Sequence, residues 1–575
     1  MLFSTPWQLA KAGLLSTILL AALTAQAQTA PTWTMAKRLT SGGPDPTRNG
    51  AAVDGLRTDA SGNVFTVGDF HGTLDLGGTT FSTMPSVAGD YDSYLAKYNA
   101  TGTLLWAKHL NGAYHETVGT ALAVDAAGNT YLTGSFYGSI TIEGTTLTDP
   151  TYTAGGYQLN GYVAKFAPAG NLLWIKRIGS TTSSQGNAAG QAITMDGAGN
   201  VVLTASFSGS VTLGTTTLNS TENPAFSYPS QDLLLAKLDP QGTVLWARND
   251  GGTGSEWPQD ITVDGADNIY LGGSIQGNAA FGTIRLTASD MNSDGALVKF
   301  SPAGTPQWAV KLPATVTSLG RNIVRHVSTD LAGNVSLVGE VEEDLPSGDM
   351  YRAVVARYTT QGTLAWSHLS TPSEANYNVS IVVDGAGNSY VGYPFMTSVN
   401  WAGVSLTASA PNIVNCAIFS LTPQGTPRWS LRNDSGDIGP NALSLDQNGL
   451  LYVGGAANGP VQLGNLQLAA NSANYEPFFA RLSNVTLATK PAQSLAALAL
   501  YPNPAKNAAT VSLPARSEAG TVVVRDLTGR LVQQVSFAAA ATQVPLPLKT
   551  VSAGLYTVQV VTEAGFSPLA RLVVQ

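Results

Sequence analysis

At 575 residues the chain is several times the length of an ordinary domain, so several domains or one long repeat array is expected. Only 11% of its residues are charged, the formal net charge is -8 and no Lys/Arg cluster occurs, which excludes the basic surface that a nucleic-acid partner would need. The single cysteine, Cys416, excludes an internal disulfide framework; within NCAIFSL it reads as a small buried hydrophobe.

In chain order, Lys11 precedes the apolar run GLLSTILLAALTAQAQ, which is too short to cross a bilayer comfortably and ends in Ala25-Gln26-Ala27, a small-x-small pattern. The expectation is a secretory signal peptide, residues 1–27, cut after Ala27. Next comes PTWTMAKRLTSGG, whose Trp33 to Arg38 segment looks like Trp106-Ala-Lys108 and Trp174-Ile-Lys176-Arg177 further on.

From there one phrase recurs. ALAVDAAGNTYLTGSF has counterparts whose aspartates are Asp59, Asp125, Asp196, Asp264, Asp330, Asp384 and Asp446, which makes seven units. Each predicts two short strands joined by a tight turn, where Asp bonds to the backbone ahead and Gly takes positive φ. A ribbon such as SITIEGTTL follows, and then a second strand pair around a Gly turn that leads into Trp106, Trp174, Trp246, Trp308, Trp366 and Trp429. The seventh unit ends FFARLSNVTL with no Trp, so the Trp33 strand is expected to complete it. Seven units of four strands whose last strand lies at the other end of the chain predict an all-β fold, a seven-bladed β-propeller closed by its N-terminal strand, and closure would remove the open sheet edge. Each repeated Trp is expected to pack between neighbouring blades. Unit five has GEVEEDLPSGD where the others carry the ribbon, so the ribbon is separable from the blade; the acidic run Glu340, Glu342, Glu343, Asp344 and Asp349 reads as a solvated loop.

The pattern A-x-D-x-x-G-N-x-Y-x-x-G-x-F, with A-K-x-x-x-x-G-x-x-x-W-A-K, resembles the SBBP-type bacterial β-propeller repeat over residues 32–486. The resemblance implies an extracellular propeller and little about chemistry. After NVTLATKPAQSLAAL the rhythm stops, and the remainder predicts a small β-sandwich. Tyr501-Pro502-Asn503-Pro504, Asp526-Leu527-Thr528-Gly529-Arg530, Gly554-Leu555-Tyr556 and Arg571-Leu572-Val573-Val574 resemble the type A sorting domain of the Bacteroidetes type IX secretion system. This implies engagement of that machinery, export through periplasm and outer membrane, and a secreted or cell-surface protein. The expected organisation is therefore a leader over 1–27, a propeller over 28–486, a linker over 487–497 and a sorting domain over 498–575.

For chemistry the sequence offers little. A D-x-x-G-N copy supplies too few oxygens for calcium, and His71, His109, His115, His326 and His368 lack zinc spacing, so neither metal nor cofactor is expected. No nucleophile elbow, P-loop or dinucleotide fingerprint occurs. The connections from each Trp strand to the next unit vary most, and variable loops on a rigid scaffold are where function sits. Their ligand-binding candidates are Tyr114, His115, Glu116, Glu256, Trp257, Arg321, Arg325, His326, Glu374 and Tyr377, a set suited to a glycan or a protein. Trp401, aligned with Leu76 of the ribbon, is expected to be buried. The near-equivalence of the units favours a monomeric binding or structural module over a catalyst. A propeller-fold lyase or glycosidase, and a scaffold without a specific ligand, stay open.

Overall fold

The computed structural model describes residues 31–42, 50–83, 91–112, 116–152, 158–180, 186–222, 230–288, 292–313, 320–345, 348–372, 379–411, 413–472, 474–483, 499–513, 519–526, 531–539, 541–549, 551–562, 565–566 and 570–575. The expected leader and its cleavage site lie outside them. The chain is all-β and built from many small antiparallel sheets. Among the described residues no helix is long and apolar enough to cross a membrane.

Each repeat unit forms a four-stranded antiparallel meander. Unit two pairs Thr117–Val124, Thr130–Tyr137, Leu159–Phe166 and Leu172–Gly179 in sequence order, and the other units repeat this scheme. The first hairpin owes its turn to the aspartate. Asp125 Oδ1 accepts the amides of Ala127 and Asn129 at 3.0 and 2.8 Å, and its Oδ2 accepts the Asn129 side chain at 2.7 Å. Gly128 sits at φ 82, where a Cβ is costly; in unit four Asp267 takes the same place at φ 63 and the turn persists.

The recurring second-strand glycine has a different cause. A Cβ on Gly134 would lie 1.9 Å from the Val118 carbonyl oxygen, and one on Gly273 would lie 2.3 Å from that of Trp257. At this level the first strand bulges by one residue, so its backbone presses on its neighbour.

Neighbouring sheets meet through the repeated tryptophans. The indole N–H of Trp106 donates to Pro168 O at 3.0 Å, that of Trp308 to Thr360 O at 3.0 Å and that of Trp366 to Pro423 O at 2.8 Å, each in the following unit. Third-strand lysines reach the same turns, as Lys237 does to Pro302 O at 2.9 Å. The first strands of successive units lie in contact, and that of unit seven contacts that of unit one.

Thr32–Arg38 pairs antiparallel with Glu476–Ser483, the third strand of unit seven. The register corrects the sequence alignment of Trp33 with Trp106. A bulge between Trp33 and Met35 puts Met35 opposite Arg481, as Trp106 stands opposite Lys97. Met35 therefore approaches the Gly102 turn where other units bring a tryptophan, and Trp33 is instead buried in the apolar core of units six and seven. Arg481 donates to Ala100 O at 3.1 Å, in the role of the third-strand lysine.

The ribbons join consecutive sheets from outside. Ser139–Ile142 of unit two hydrogen-bonds to Leu104–Gly112 of unit one, Asn278–Phe281 of unit four to Val244–Gly252 of unit three, and Thr73–Asp75 of unit one to Thr40–Gly42 beyond the N-terminal strand. Unit five lacks this element: Val335–Leu345 and Gly348–Tyr358 run as one long hairpin. Trp401, the last residue of the ribbon strand Ser398–Trp401, is buried as expected, and burial pushes the Cys416 thiol up to about 12.

The C-terminal segment forms a β-sandwich, with Ala499–Tyr501, Ala508–Ser512 and Gln543–Pro547 in one sheet and Gly520–Asp526, Leu531–Phe537, Gly554–Thr562 and Ala570–Val574 in the other. Val511, Leu546, Val522 and Val558 fill its core. The expected motifs meet across it. The Asn503 side chain donates to Arg571 O at 2.6 Å and accepts from Val573 N at 2.9 Å, while Ala505 N bonds Val573 O and Gln575 N bonds Ala505 O, both at 2.8 Å. Tyr501 is exposed, Tyr556 is buried with its hydroxyl on Ser552 O, and Gly554 opens the strand that pairs with Val574. Asp526 pairs opposite Tyr556, and Gly529 lies outside the described residues.

Candidate functional site

At the joint between unit four and unit five, the unit without a ribbon, lies a cavity of about 390 Å³. Unit four contributes Trp257, Gln259, Ser274 and Ser293; unit five contributes Arg321, Ile323, Arg325, Glu340, Glu342 and Tyr351. Strand alternation explains the set, because residues two apart share a face: Trp257 with Gln259, Arg321 with Ile323 and Arg325, Glu340 with Glu342.

Two of these residues sit at bulges. The first strand of unit four shifts register between Pro258 and Asp260, and that of unit five between Val324 and His326, so Gln259 and Arg325 are the extra residues. A bulge re-aims its side chain. Here both are turned into one joint, where Arg325 Nη1 donates to Gln259 Oε1 at 3.3 Å. The Arg325 guanidinium also donates to Glu340 Oε2 from Nε at 2.9 Å and from Nη2 at 2.8 Å. Glu340 is 3% exposed, and its other oxygen has no hydrogen-bond partner among the described residues. At the rim, Glu342 accepts the Tyr351 hydroxyl at 3.3 Å and the Arg321 backbone N–H at 3.0 Å. The expectation that Glu340 and Glu342 belong to a solvated loop is thus corrected: both lie on a strand paired on two sides, and Glu340 is buried by its guanidinium partner.

Behind Trp257, Glu256 is 1% exposed and faces Asp232 of unit three rather than the cavity. Burial, reinforced by the Asp232 charge, pushes its carboxyl up to about 9, against the Gly252 N–H bond at 3.1 Å. Asp232 is raised as well, chiefly by burial and against hydrogen bonds from Thr221. The pair holds a proton at neutral pH.

Of the residues singled out from sequence, Trp257, Arg321 and Arg325 come together in the cleft. His326 turns to the other side of its strand, Nδ1 lying 3.3 Å from Asp260 Oδ2. Glu116 is exposed at the start of unit two, beside neither. Tyr114, His115, Glu374 and Tyr377 lie outside the described residues. Sequence reasoning missed Gln259, Glu340, Glu342 and Tyr351. The one signal that pointed to them was the absent ribbon. His109 and His368 are structural, on Asp92 and on Gly425 O of the next unit. No group of three or more His, Cys, Asp or Glu among the described residues is placed to hold a metal ion.

Comparison with known proteins separates the two parts of the chain. An uncharacterized WD repeat-containing protein of Acanthamoeba polyphaga mimivirus is 21% identical over 481 residues, covering 69% of this chain; the match spans only 34% of that protein's own length. Among solved structures, a protein of unknown function from Dyadobacter fermentans covers 78% of this chain and 98% of its own at 11% identity and a TM-score of 0.36. A polysaccharide lyase, an ulvan lyase bound to a GlcA–Rha3S saccharide, covers 74% of this chain and 96% of its own at 10% identity and a TM-score of 0.36. Residues 499–575 match the secretion system C-terminal sorting domain family. The end of the chain is thus a type IX secretion sorting domain, which marks this β-rich protein for export to the cell surface or beyond.

Proposed function

We propose that the protein is an exported seven-bladed β-propeller, closed by its N-terminal strand, which binds a ligand through the cleft between blades four and five. The reading draws support from the pairing of Thr32–Arg38 with the last unit and from the contact between the first strands of units seven and one. It includes an SBBP-type repeat, a leader removed after Ala27 and a monomeric propeller joined to the sorting domain through residues 487–497. The observation that carries the binding role is the loss of the ribbon at one sector, filled by a charged and aromatic lining.

The break at unit five removes the near-equivalence argument against catalysis. The lining still favours binding, because the Arg325 fork holds Glu340 and the Tyr351 hydroxyl engages Glu342, and a carboxylate committed to such bonds is a poor proton carrier. The test compares the full exported chain with a Trp257→Ala, Arg321→Ala double variant on arrays of glycans and extracellular proteins, with product release followed in parallel. Signals lost in the double variant without product release are the expected result. Equal signals from both proteins remove the cleft from the function; product release that the variant abolishes makes it an active site.

A further inference from the structure

Building on the binding role proposed above, we infer that the cleft takes an uncharged, polyhydroxylated ligand, a short run of neutral sugar residues. Size comes first. A cavity of about 390 Å³ lies in the range of small-ligand sites, roughly 300–1,000 Å³. It admits a few sugar rings, whereas a folded protein surface needs a far broader contact.

Charge is the second argument. The lining carries two guanidinium groups, Arg321 and Arg325, and two carboxylates, Glu340 and Glu342. The signs cancel. A polyanion would be drawn to the arginines but set against Glu340 and Glu342, and a polycation would face the reverse, with one buried charge unmatched in either case.

Hydrogen bonding is the third. Glu340 is buried beneath the Arg325 guanidinium it pairs with, so the charged groups that face the cavity more openly are Arg321 and Glu342. Adjacent hydroxyls of a sugar suit both, since each hydroxyl donates and accepts: one accepts an N–H from the Arg321 guanidinium while its neighbour donates to the Glu342 carboxylate. Trp257 and Tyr351, from opposite sides of the joint, add flat apolar faces for the C–H faces of the rings.

Calorimetry on the full exported chain tests this with cellohexaose, xylohexaose, mannohexaose and laminarihexaose, alongside hexagalacturonate, hexaguluronate, hexalysine and hexaglutamate. At least one neutral hexasaccharide should bind, with both acidic sugars at least about tenfold weaker. Trp257→Ala and Tyr351→Ala, on opposite walls, should each weaken that binding by about tenfold or more, and Glu342→Gln by about fivefold. Melting midpoints identify any variant that fails to fold; the other wall's variant then carries the test. Failure of all four neutral sugars, or tighter binding of a charged probe, overturns the assignment. Charged-probe binding that Trp257→Ala abolishes leaves the cleft as the site and removes only its sugar. Binding of any probe that all three variants leave intact removes the cleft itself.

Discussion

Unit seven and the joint between units four and five both depart from the repeat, in opposite ways. In unit seven the covalent chain is interrupted between the third strand and the N-terminal strand that completes the sheet, and strand pairing and most contacts to unit one are restored. Met35 stands in the tryptophan's place, Arg481 reaches the neighbouring turn in the lysine's place, and a ribbon ties Thr73–Asp75 to Thr40–Gly42. A buried ion pair reinforces it, Arg38 Nε lying 2.5 Å from Glu476 Oε2 with both side chains almost fully enclosed. At the second the chain is continuous, Trp308 still donates to Thr360 O, and only the ribbon is gone. A break in connectivity is bridged by strand pairing, whereas the joint beside the ribbonless unit holds a cavity lined with polar side chains.

Four measurements would break or sharpen this contrast. Replacing Arg38 by Met strands Glu476 between the third and N-terminal strands of unit seven and should cost about 3–5 kcal/mol in urea unfolding; a loss near zero would show that this ion pair does not hold the N-terminal strand in place. Trp366→Ala empties an ordinary joint and should cost about 3 kcal/mol, read from the same transition. The effect of Glu256→Gln depends on pH. Because the Glu256 carboxyl lies near 9 in the folded protein and at 4.5 ordinarily, its contribution to stability is present below pH 4.5 and is lost as pH rises toward 9. The glutamine variant should lose less than the parent by about 1.4 kcal/mol for each pH unit within that window; parallel curves would refute the shared proton. Trp257→Ala, at the open joint, should change stability by less than about 1 kcal/mol, a contrast with Trp366 that marks one ring as ligand-facing and the other as structural.

Much of the architecture was legible because it is written in local chemistry that repeats. The Asp turn, the positive-φ glycine and the Trp strand each need only a few adjacent residues, and the acidic stretch of unit five disclosed the missing ribbon. What escaped was set by register. Met35 holds the place expected for Trp33: the bulge opposite Leu482 recurs opposite Tyr98 in unit one, so Met35-Ala36-Lys37 corresponds to Trp106-Ala107-Lys108 and Trp33 to Leu104. The same device hid Gln259 and Arg325 from one another, since each is an extra residue within its own strand and they meet only across a joint. Glu340 looked solvated in sequence because its guanidinium partner lies fifteen positions away on the neighbouring strand.

The pairing of Thr32 with Ser483 spans 451 positions of chain. A segment synthesised near the start must therefore wait, unsatisfied, until almost the whole array has emerged before it finds its edge. Contacts so remote in sequence form late and slowly. The pairing that joins the two ends of the repeat array is therefore made by its oldest strand, arriving last.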